Sequence, residues 1–324
     1  MSTNYHKENS KPLGGFFELE LPFGENNYHN DTIALSNGRT CFAAVLKDRK
    51  PSKVHIPFYC CNSLIQPLKE LGIEFEFYGI NKNFEPTVIN TLHKDEMFLY
   101  INYFGIKSGF IKKLISHFKE NLIIDNTQAF FEKKYGNTIS FNSARKFFGV
   151  PDGGYLYGIK LNDVFPPNDN FIADHLFMRL DERQESAYKF FQENERIQNC
   201  DLKMVSHLSK KILASIDYGS IAQKRIRNFK LFAEAFNAVN NIHSELEDQI
   251  PFCYPFLPSV TIQKEKLFDR NIFIPTLWKD VIERHNKDYV FENMVSLNLL
   301  PLPVDHRLSG EDVSRIIDEI KRLL

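Results

Sequence analysis

Short apolar runs alternate with amphipathic helical patterns between residues 31 and 160. The runs are rich in β-branched and aromatic residues, and they predict seven β-strands, at 32–35, 54–58, 74–80, 97–104, 122–125, 138–141 and 155–159. Helical spacing separates most of them, as at 63–71 and 110–118. This alternation predicts an α/β fold with a mainly parallel sheet covered by helices. Ligand-binding side chains are then expected at the carboxyl ends of the strands.

The pattern changes after residue 158, where long helical stretches replace the alternation. Residues 187–217 predict one continuous helix, and 221–239 predict another. The last helix begins at Ser309, which forms a capping-box pattern with Asp312. The change near residue 220 predicts a large domain of residues 1–220 and a smaller C-terminal α/β domain of residues 221–324.

Composition and charge exclude several classes of function. A net charge of −1 over 324 residues gives no electrostatic basis for binding nucleic acid or a membrane surface. No apolar run approaches the roughly 20 residues that span a bilayer, and the first 15 residues lack the apolar core of a signal peptide. The five cysteines form no Cys-x-x-Cys pair, which argues against a zinc site or a disulfide framework. We expect a cytoplasmic protein with no bound metal.

Two residues at the ends of neighbouring strands suggest a specific cofactor. Asp125 ends the predicted strand 122–125, and Lys146 follows the next strand, just before Gly153 and Gly154. An acid and a lysine placed in this way are what a pyridoxal phosphate (PLP) site requires. The lysine bonds to the cofactor aldehyde, and the acid keeps the pyridine nitrogen protonated.

Each of these residues also has an ordinary structural interpretation. Asp125 could be an Asx-turn residue that ends a strand. Lys146 could form a solvated basic pair with Arg145, which is the commoner fate of a surface lysine. The combination of the two residues with the following glycines favours the catalytic interpretation, in which burial and the Arg145 cation activate Lys146.

The segments NLIIDNTQ and ISFNSARKFFGVPDGG together resemble the DegT/DnrJ/EryC1/StrS family of sugar aminotransferases. In that family an Asp-x-x-Gln or Asp-x-x-His segment precedes a Ser-Phe…Lys…Gly-Gly segment. A Leu-Pro segment at 299–303 extends the similarity over most of the chain. The resemblance implies the fold type I architecture of aspartate aminotransferase. It also implies that Gln128 donates a hydrogen bond toward the phenolic oxygen of the cofactor.

The phosphate of the cofactor needs an anion site. Gly38, Arg39 and Thr40 follow the first strand and open a helix, whose free N–H groups attract anions. The segment is similar to the Ser-Gly-Thr-Ala element of the family. Ser140 and Ser143 are candidates for a hydroxyl contact to the same phosphate, or for capping and turn roles.

The resemblance places a residue after the second strand against the cofactor ring. Counting from Pro57 favours Cys61, whereas stacking chemistry favours the flat ring of Tyr59. A core aromatic is the alternative interpretation of Tyr59.

The resemblance implies transfer of an amino group from glutamate to a nucleotide-linked keto-deoxysugar, for surface polysaccharide biosynthesis. It also implies a homodimer with shared sites, to which the segments 165–171 and 217–225 would contribute a covering loop. Two alternatives stay open. One is a PLP-dependent elimination or dehydration, which Lys146 disfavours because a dehydratase branch of the family has histidine there. The other is a non-catalytic relative with a structural or regulatory role.

Overall fold

The computed structural model describes residues 15–89, 91–284 and 286–324, and a seven-stranded sheet is its central feature. The strands are β1 (Ile33–Leu35), β2 (Lys53–Pro57), β3 (Glu74–Tyr78), β4 (Glu96–Ile101), β5 (Leu122–Asn126), β6 (Ile139–Asn142) and β7 (Gly154–Tyr157). Their order in the sheet is β1-β7-β6-β5-β4-β2-β3. Neighbours from β3 to β6 are parallel, and β7 is antiparallel to both β1 and β6. The predicted mainly parallel sheet is confirmed.

Three helices connect the first strands: α1 (Gly38–Arg49), α2 (Asn62–Glu70) and α3 (Ser108–Phe118). Helix α1 begins where the Asn37 side chain accepts a hydrogen bond from the Thr40 amide. It ends at Lys50, which has left-handed backbone angles. Short 3₁₀ turns follow β4, α3 and β6, at Tyr103–Gly105, Lys119–Asn121 and Ala144–Lys146 respectively.

The region after β7 corrects one expectation, because 187–217 is not one helix. It contains most of α5 (Gln184–Ile197), which follows α4 (Asp174–Leu180), and then α6 (His207–Ala214). The intervening residues run beside β1, where the Ser36 amide donates to Lys203 O and the Val205 amide donates to Ala34 O. Pairing with an exposed strand edge therefore replaces helical hydrogen bonds in this segment.

The C-terminal part has its own small antiparallel sheet. The elements are α7 (Tyr218–Phe236), a 3₁₀ turn (Asn237–Val239), β8 (Cys253–Phe256), α8 (Lys264–Phe268), α9 (Asp280–Glu283), α10 (Val290–Asn298), β9 (Leu300–Pro303) and α11 (Gly310–Lys321). Strands β8 and β9 pair with each other. The capping box at Ser309 and Asp312 is confirmed. The predicted domain boundary at 220/221 falls in the first turn of α7 and stays a prediction.

Helix α7 also corrects the expectation that 217–225 forms a covering loop. Asp217 caps the helix, and Arg225 is buried inside the subunit. No helix in the described part of the chain is both long and apolar enough to cross a membrane.

Candidate active site

Asp125 lies at the carboxyl end of β5, a strand whose five residues are all buried. Its Oδ1 atom accepts a hydrogen bond of 2.8 Å from the Thr127 amide, so the Asx-turn role considered for Asp125 is present. Burial raises the pKa of the Asp125 carboxyl, and the charge of Lys146 opposes that rise. The carboxylate is thus largely dehydrated, with one oxygen fixed by the backbone and a lysine nearby.

Lys146 ends the 3₁₀ turn Ala144–Lys146 that follows β6. Strands β5 and β6 are parallel, with Asp125 opposite Phe141, so both strands deliver their carboxyl ends to one edge of the sheet. The Lys146 Nζ atom donates a hydrogen bond of 2.9 Å to Thr127 Oγ1. Although its two neighbours are more buried, the Lys146 side chain is exposed, which corrects the expectation that it is buried. The Arg145 cation is paired with Glu195. The structure therefore brings Asp125 and Lys146 together through Thr127.

The start of α1 lies beside this pair. A Cβ atom built on Gly38 would lie 3.0 Å from Thr127 Cγ2, so the helix approaches Thr127 closely. The amides of Gly38 and Arg39 occupy the first two helical positions, which have no acceptor within an α-helix. This end of α1 provides two N–H donors and a favourable dipole for an anion.

Thr40 and the Arg39 side chain form hydrogen bonds to other residues of the protein instead. The Thr40 hydroxyl contacts Ser36 Oγ at 2.9 Å, and the Thr40 amide donates to the Asn37 side chain. The Arg39 guanidinium donates to Gln198 O at 2.6 Å and to Ser63 Oγ at 2.8 Å. Of the predicted phosphate segment, Gly38 and the Arg39 backbone are placed to bind an anion, whereas the Thr40 groups are not.

Gln128 lies three residues after Asp125 and is buried. Its Oε1 atom accepts a hydrogen bond of 2.7 Å from the Phe104 amide. Phe104 has a φ of 58°, in the left-handed region that is uncommon outside glycine. Gln128 therefore stabilises an unusual turn after β4, and only its Nε2 group is left to donate elsewhere.

The two serines lie on opposite faces of the sheet. Side chains alternate along β6, so Ser140 shares a face with Asn142, while Phe141 shares the other face with Asp125. The Ser140 hydroxyl is buried and has no hydrogen-bond partner among the described residues. Ser143 continues the extended backbone after β6, on the side of Phe141. The structure does not bring Ser140 to the candidate site, and it leaves Ser143 beside the lysine turn.

Tyr59 lies in the core, which corrects its interpretation as a stacking residue. Its ring packs edge-on against Trp278 at 4.6 Å and lies 5.9 Å from the Tyr103 ring. It is 0% exposed, so neither ring face is available to a ligand. Cys61 is partly exposed at the start of α2, and its place against a cofactor ring stays a prediction.

Thr127 is the site residue that sequence reasoning missed. It lies inside the Asp-x-x-Gln segment, and an Asx-turn at Asp125 predicts a hydrogen bond to the amide two residues later. That pattern could have identified the Thr127 amide. The contact between its hydroxyl and Lys146 depends on the fold and has no sequence pattern.

The arrangement fits the three functional groups of PLP. A buried carboxylate suits a protonated pyridine nitrogen, an exposed lysine amine suits an aldehyde, and the start of α1 suits a phosphate. Asp125, Lys146 and the Gly38–Arg39 amides would hold these groups. When bound, the cofactor supplies an electron sink that stabilises a carbanion on an amino-acid substrate.

Comparison with known proteins identifies the fold. No protein-family model and no curated protein sequence matches the chain. Solved structures do match: a DegT DnrJ EryC1 StrS aminotransferase from Brucella abortus has a TM-score of 0.60 and 15% sequence identity. That match covers 90% of this chain and 85% of the other. The chain therefore has the fold type I architecture of these aminotransferases, as the sequence predicted.

Two further structures show the same similarity. The sugar aminotransferase CalS13 from Micromonospora echinospora matches with a TM-score of 0.58 and 11% identity, over 90% of this chain and 86% of that one. NtdA from Bacillus subtilis, with bound cofactor PMP, matches with a TM-score of 0.60 and 15% identity, over 90% and 73%. At such identities the likeness establishes the fold.

Proposed function

We propose that this protein is a PLP-dependent aminotransferase. The observation that supports this most is the hydrogen-bonded series Asp125–Thr127–Lys146 at the carboxyl edge of β5 and β6. It combines the acid and the amine that the cofactor needs, in a fold shared with solved aminotransferases. The bound PMP of NtdA supports the choice of cofactor.

Each residue has a defined role in this proposal. Lys146 would hold the cofactor through Nζ, and its amine, when free, would move a proton at the substrate carbon. Asp125 would pair with the protonated pyridine nitrogen. The Gly38 and Arg39 amides would hold the phosphate and so orient the cofactor relative to Lys146.

The substrates belong to the same proposal. We infer that glutamate is the amino donor and that a nucleotide-linked keto-deoxysugar is the acceptor, as part of surface polysaccharide biosynthesis. Support comes from the resemblance of the two sequence segments and from the sugar aminotransferase CalS13 among the structural matches.

The test is the first half of the reaction, which needs no acceptor. PLP-loaded protein is mixed with glutamate, and the cofactor is then released and separated by chromatography. Conversion of PLP to pyridoxamine phosphate is expected, together with one equivalent of 2-oxoglutarate. Lys146→Ala is the control, and it should convert none because it lacks the amine that moves the proton. Cofactor that binds but stays as PLP would favour an elimination enzyme, and failure to bind PLP would favour a non-catalytic relative.

Lys146 is expected to be the residue that bonds to PLP. Borohydride reduction of the PLP-loaded protein followed by peptide mapping should place the label on Lys146. Label on Lys133, Lys134 or Lys160 instead would contradict the assignment.

We also propose that the functional unit is a homodimer. Lys146 is exposed in the single subunit, whereas a catalytic amine needs shielding from water. Phe16, Phe17 and Phe23 are 99%, 95% and 93% exposed, which is unusual for a surface in contact with water. Obligate dimers bury roughly 2,000–5,000 Å², enough to cover both features. Light scattering at micromolar concentration should give twice the subunit mass, and a stable, active monomer would contradict the proposal.

A further inference from the structure

Thr127 contacts three different parts of the candidate site with three different groups. Its amide donates to Asp125 Oδ1 at 2.8 Å, and its Oγ1 accepts from Lys146 Nζ at 2.9 Å. Its methyl group faces the start of α1, where a Cβ on Gly38 would lie 3.0 Å from Thr127 Cγ2. Through its backbone amide and its side chain, this one residue links the strand that carries the acid, the turn that carries the lysine and the helix that opens at Gly38.

We propose that Thr127 is a positioning residue for Lys146, and that its hydroxyl holds the lysine amine beside Asp125, ready to capture the cofactor aldehyde. The inference rests on the proposed function. The Lys146 side chain is exposed, and an exposed lysine samples many rotamers. A hydrogen bond to an acceptor that is itself fixed reduces that sampling, so the amine spends more time within reach of the aldehyde.

The orientation of Thr127 depends on the methyl group as well as on the hydroxyl. A threonine rotamer is fixed when both branches at Cβ have defined surroundings. Contact with Gly38 places the methyl group, and the hydroxyl is then directed toward Lys146. A contact of 3.0 Å from an added Cβ is tighter than normal packing, so Gly38→Ala should displace Thr127 and have the same effect on Lys146 as loss of the hydroxyl.

The test separates positioning of the lysine from binding of the cofactor. Two ligands are added to PLP-free protein: pyridoxine 5′-phosphate, which has the ring and phosphate of PLP without the aldehyde, and PLP itself. The affinity for the first reports the phosphate and pyridine contacts. The rate constant for covalent capture of the second reports the position of Lys146. It is measured by stopping the reaction with borohydride and quantifying the labelled Lys146 peptide.

Matched variants isolate the hydroxyl. Thr127→Val preserves the branched shape and removes the acceptor, and it should slow capture about 5- to 10-fold, which is the size expected for one hydrogen bond. Its affinity for pyridoxine 5′-phosphate should stay within about twofold of that of the unaltered protein. The substitution leaves the groups that would contact the phosphate and the pyridine ring unchanged. Thr127→Ser preserves the hydroxyl but loses the methyl contact with α1, so it should recover part of the capture rate and remain faster than Thr127→Val.

The outcomes distinguish this inference from the proposed function. Capture by Thr127→Val at the rate of the unaltered protein would overturn the positioning role alone. Equal slowing in Thr127→Ser and Thr127→Val would also overturn it, because shape rather than the hydroxyl would then control the rate. If the unaltered protein bound neither ligand, the proposed function would fail and this inference with it.

Discussion

His29 should make the stability of this protein depend on pH in a way that can be calculated. Its ring is buried against β6 and β7, where Nδ1 lies 2.6 Å from the Tyr157 hydroxyl and Nε2 lies 3.1 Å from Asn142 Nδ2. Burial lowers the pKa of His29 to about 3, and the nearby Lys133 charge acts in the same direction. Protonation would place an N–H on both ring nitrogens, so the Asn142 amide group would face another donor.

Proton linkage gives the direction and the size of the change in unfolding free energy with pH. The unfolded chain binds a proton at His29 below its ordinary pKa of 6.5, whereas the folded chain does not until about pH 3. Folding stability is therefore lost as the pH falls through this window. The His29 contribution to this loss is about 2 kcal/mol between pH 7 and pH 5, and it approaches about 5 kcal/mol below pH 3. Because typical domains are stable by only 5–15 kcal/mol, the effect is large.

The assay is denaturant unfolding of PLP-free protein at pH 7, 6 and 5, since bound cofactor would add its own pH dependence. His29→Gln should be less stable at pH 7 and should lose about 2 kcal/mol less than the unaltered protein on going to pH 5. His243→Gln is the control, since the His243 side chain is 70% exposed, and it should follow the unaltered protein. Parallel pH dependence in the His29→Gln and unaltered proteins would refute the reasoning.

Three other perturbations give distinct results. Because burial raises the pKa of Asp125, PLP affinity should fall on acidification starting above the usual carboxyl range, and Asp125→Asn should bind weakly at every pH in a spectroscopic titration. Gly154→Ala places a Cβ 2.8 Å from the backbone of Asn37 and should cost about 1–3 kcal/mol of unfolding free energy, whereas Gly310→Ala, with nothing within 4 Å of the new Cβ, should cost little. Tyr59→Phe removes a buried hydroxyl that has no hydrogen-bond partner among the described residues, so thermal unfolding should show equal or higher stability and PLP affinity should not change.

The sequence predicted the parts of the site that depend on strand order. Asp125 ends an apolar run and Lys146 follows the next one, and parallel pairing of β5 with β6 brings such ends together. A turn followed by a helical pattern likewise predicted that α1 begins at Gly38. These features need only local patterns and the rule that parallel strands end at one edge.

Errors arose where tertiary contacts decide the outcome. Ser140 immediately precedes Phe141, and successive side chains of a strand lie on opposite faces of the sheet. Tyr59 has the ring chemistry for stacking, yet Trp278 and Tyr103 enclose it. Residues 198–206 lie between two amphipathic helices, and pairing with β1 is a long-range contact that helical periodicity does not reveal.

The residues on either side of Lys146 suit the role proposed for its amine, which is to bind and release a cofactor repeatedly. Arg145 pairs with Glu195 of α5, and the Phe147 ring packs 4.4 Å from the guanidinium carbon of Arg225. Arg225 also donates to the carbonyl oxygens of Pro251 and Phe252. The backbone on both sides of the lysine is thus anchored, one side to α5 and the other to the C-terminal part of the chain.

The lysine side chain, by contrast, is exposed and contacts Thr127 through one hydrogen bond. A single hydrogen bond contributes only about 1 kcal/mol net, which is enough to favour one position without preventing movement. A fixed backbone with a weakly held amine suits the role proposed for Lys146, in which the amine bonds to the cofactor, leaves it and returns to the same place. We therefore expect changes at Arg145 or Arg225 to misplace the whole turn, and changes at Thr127 to affect only the amine.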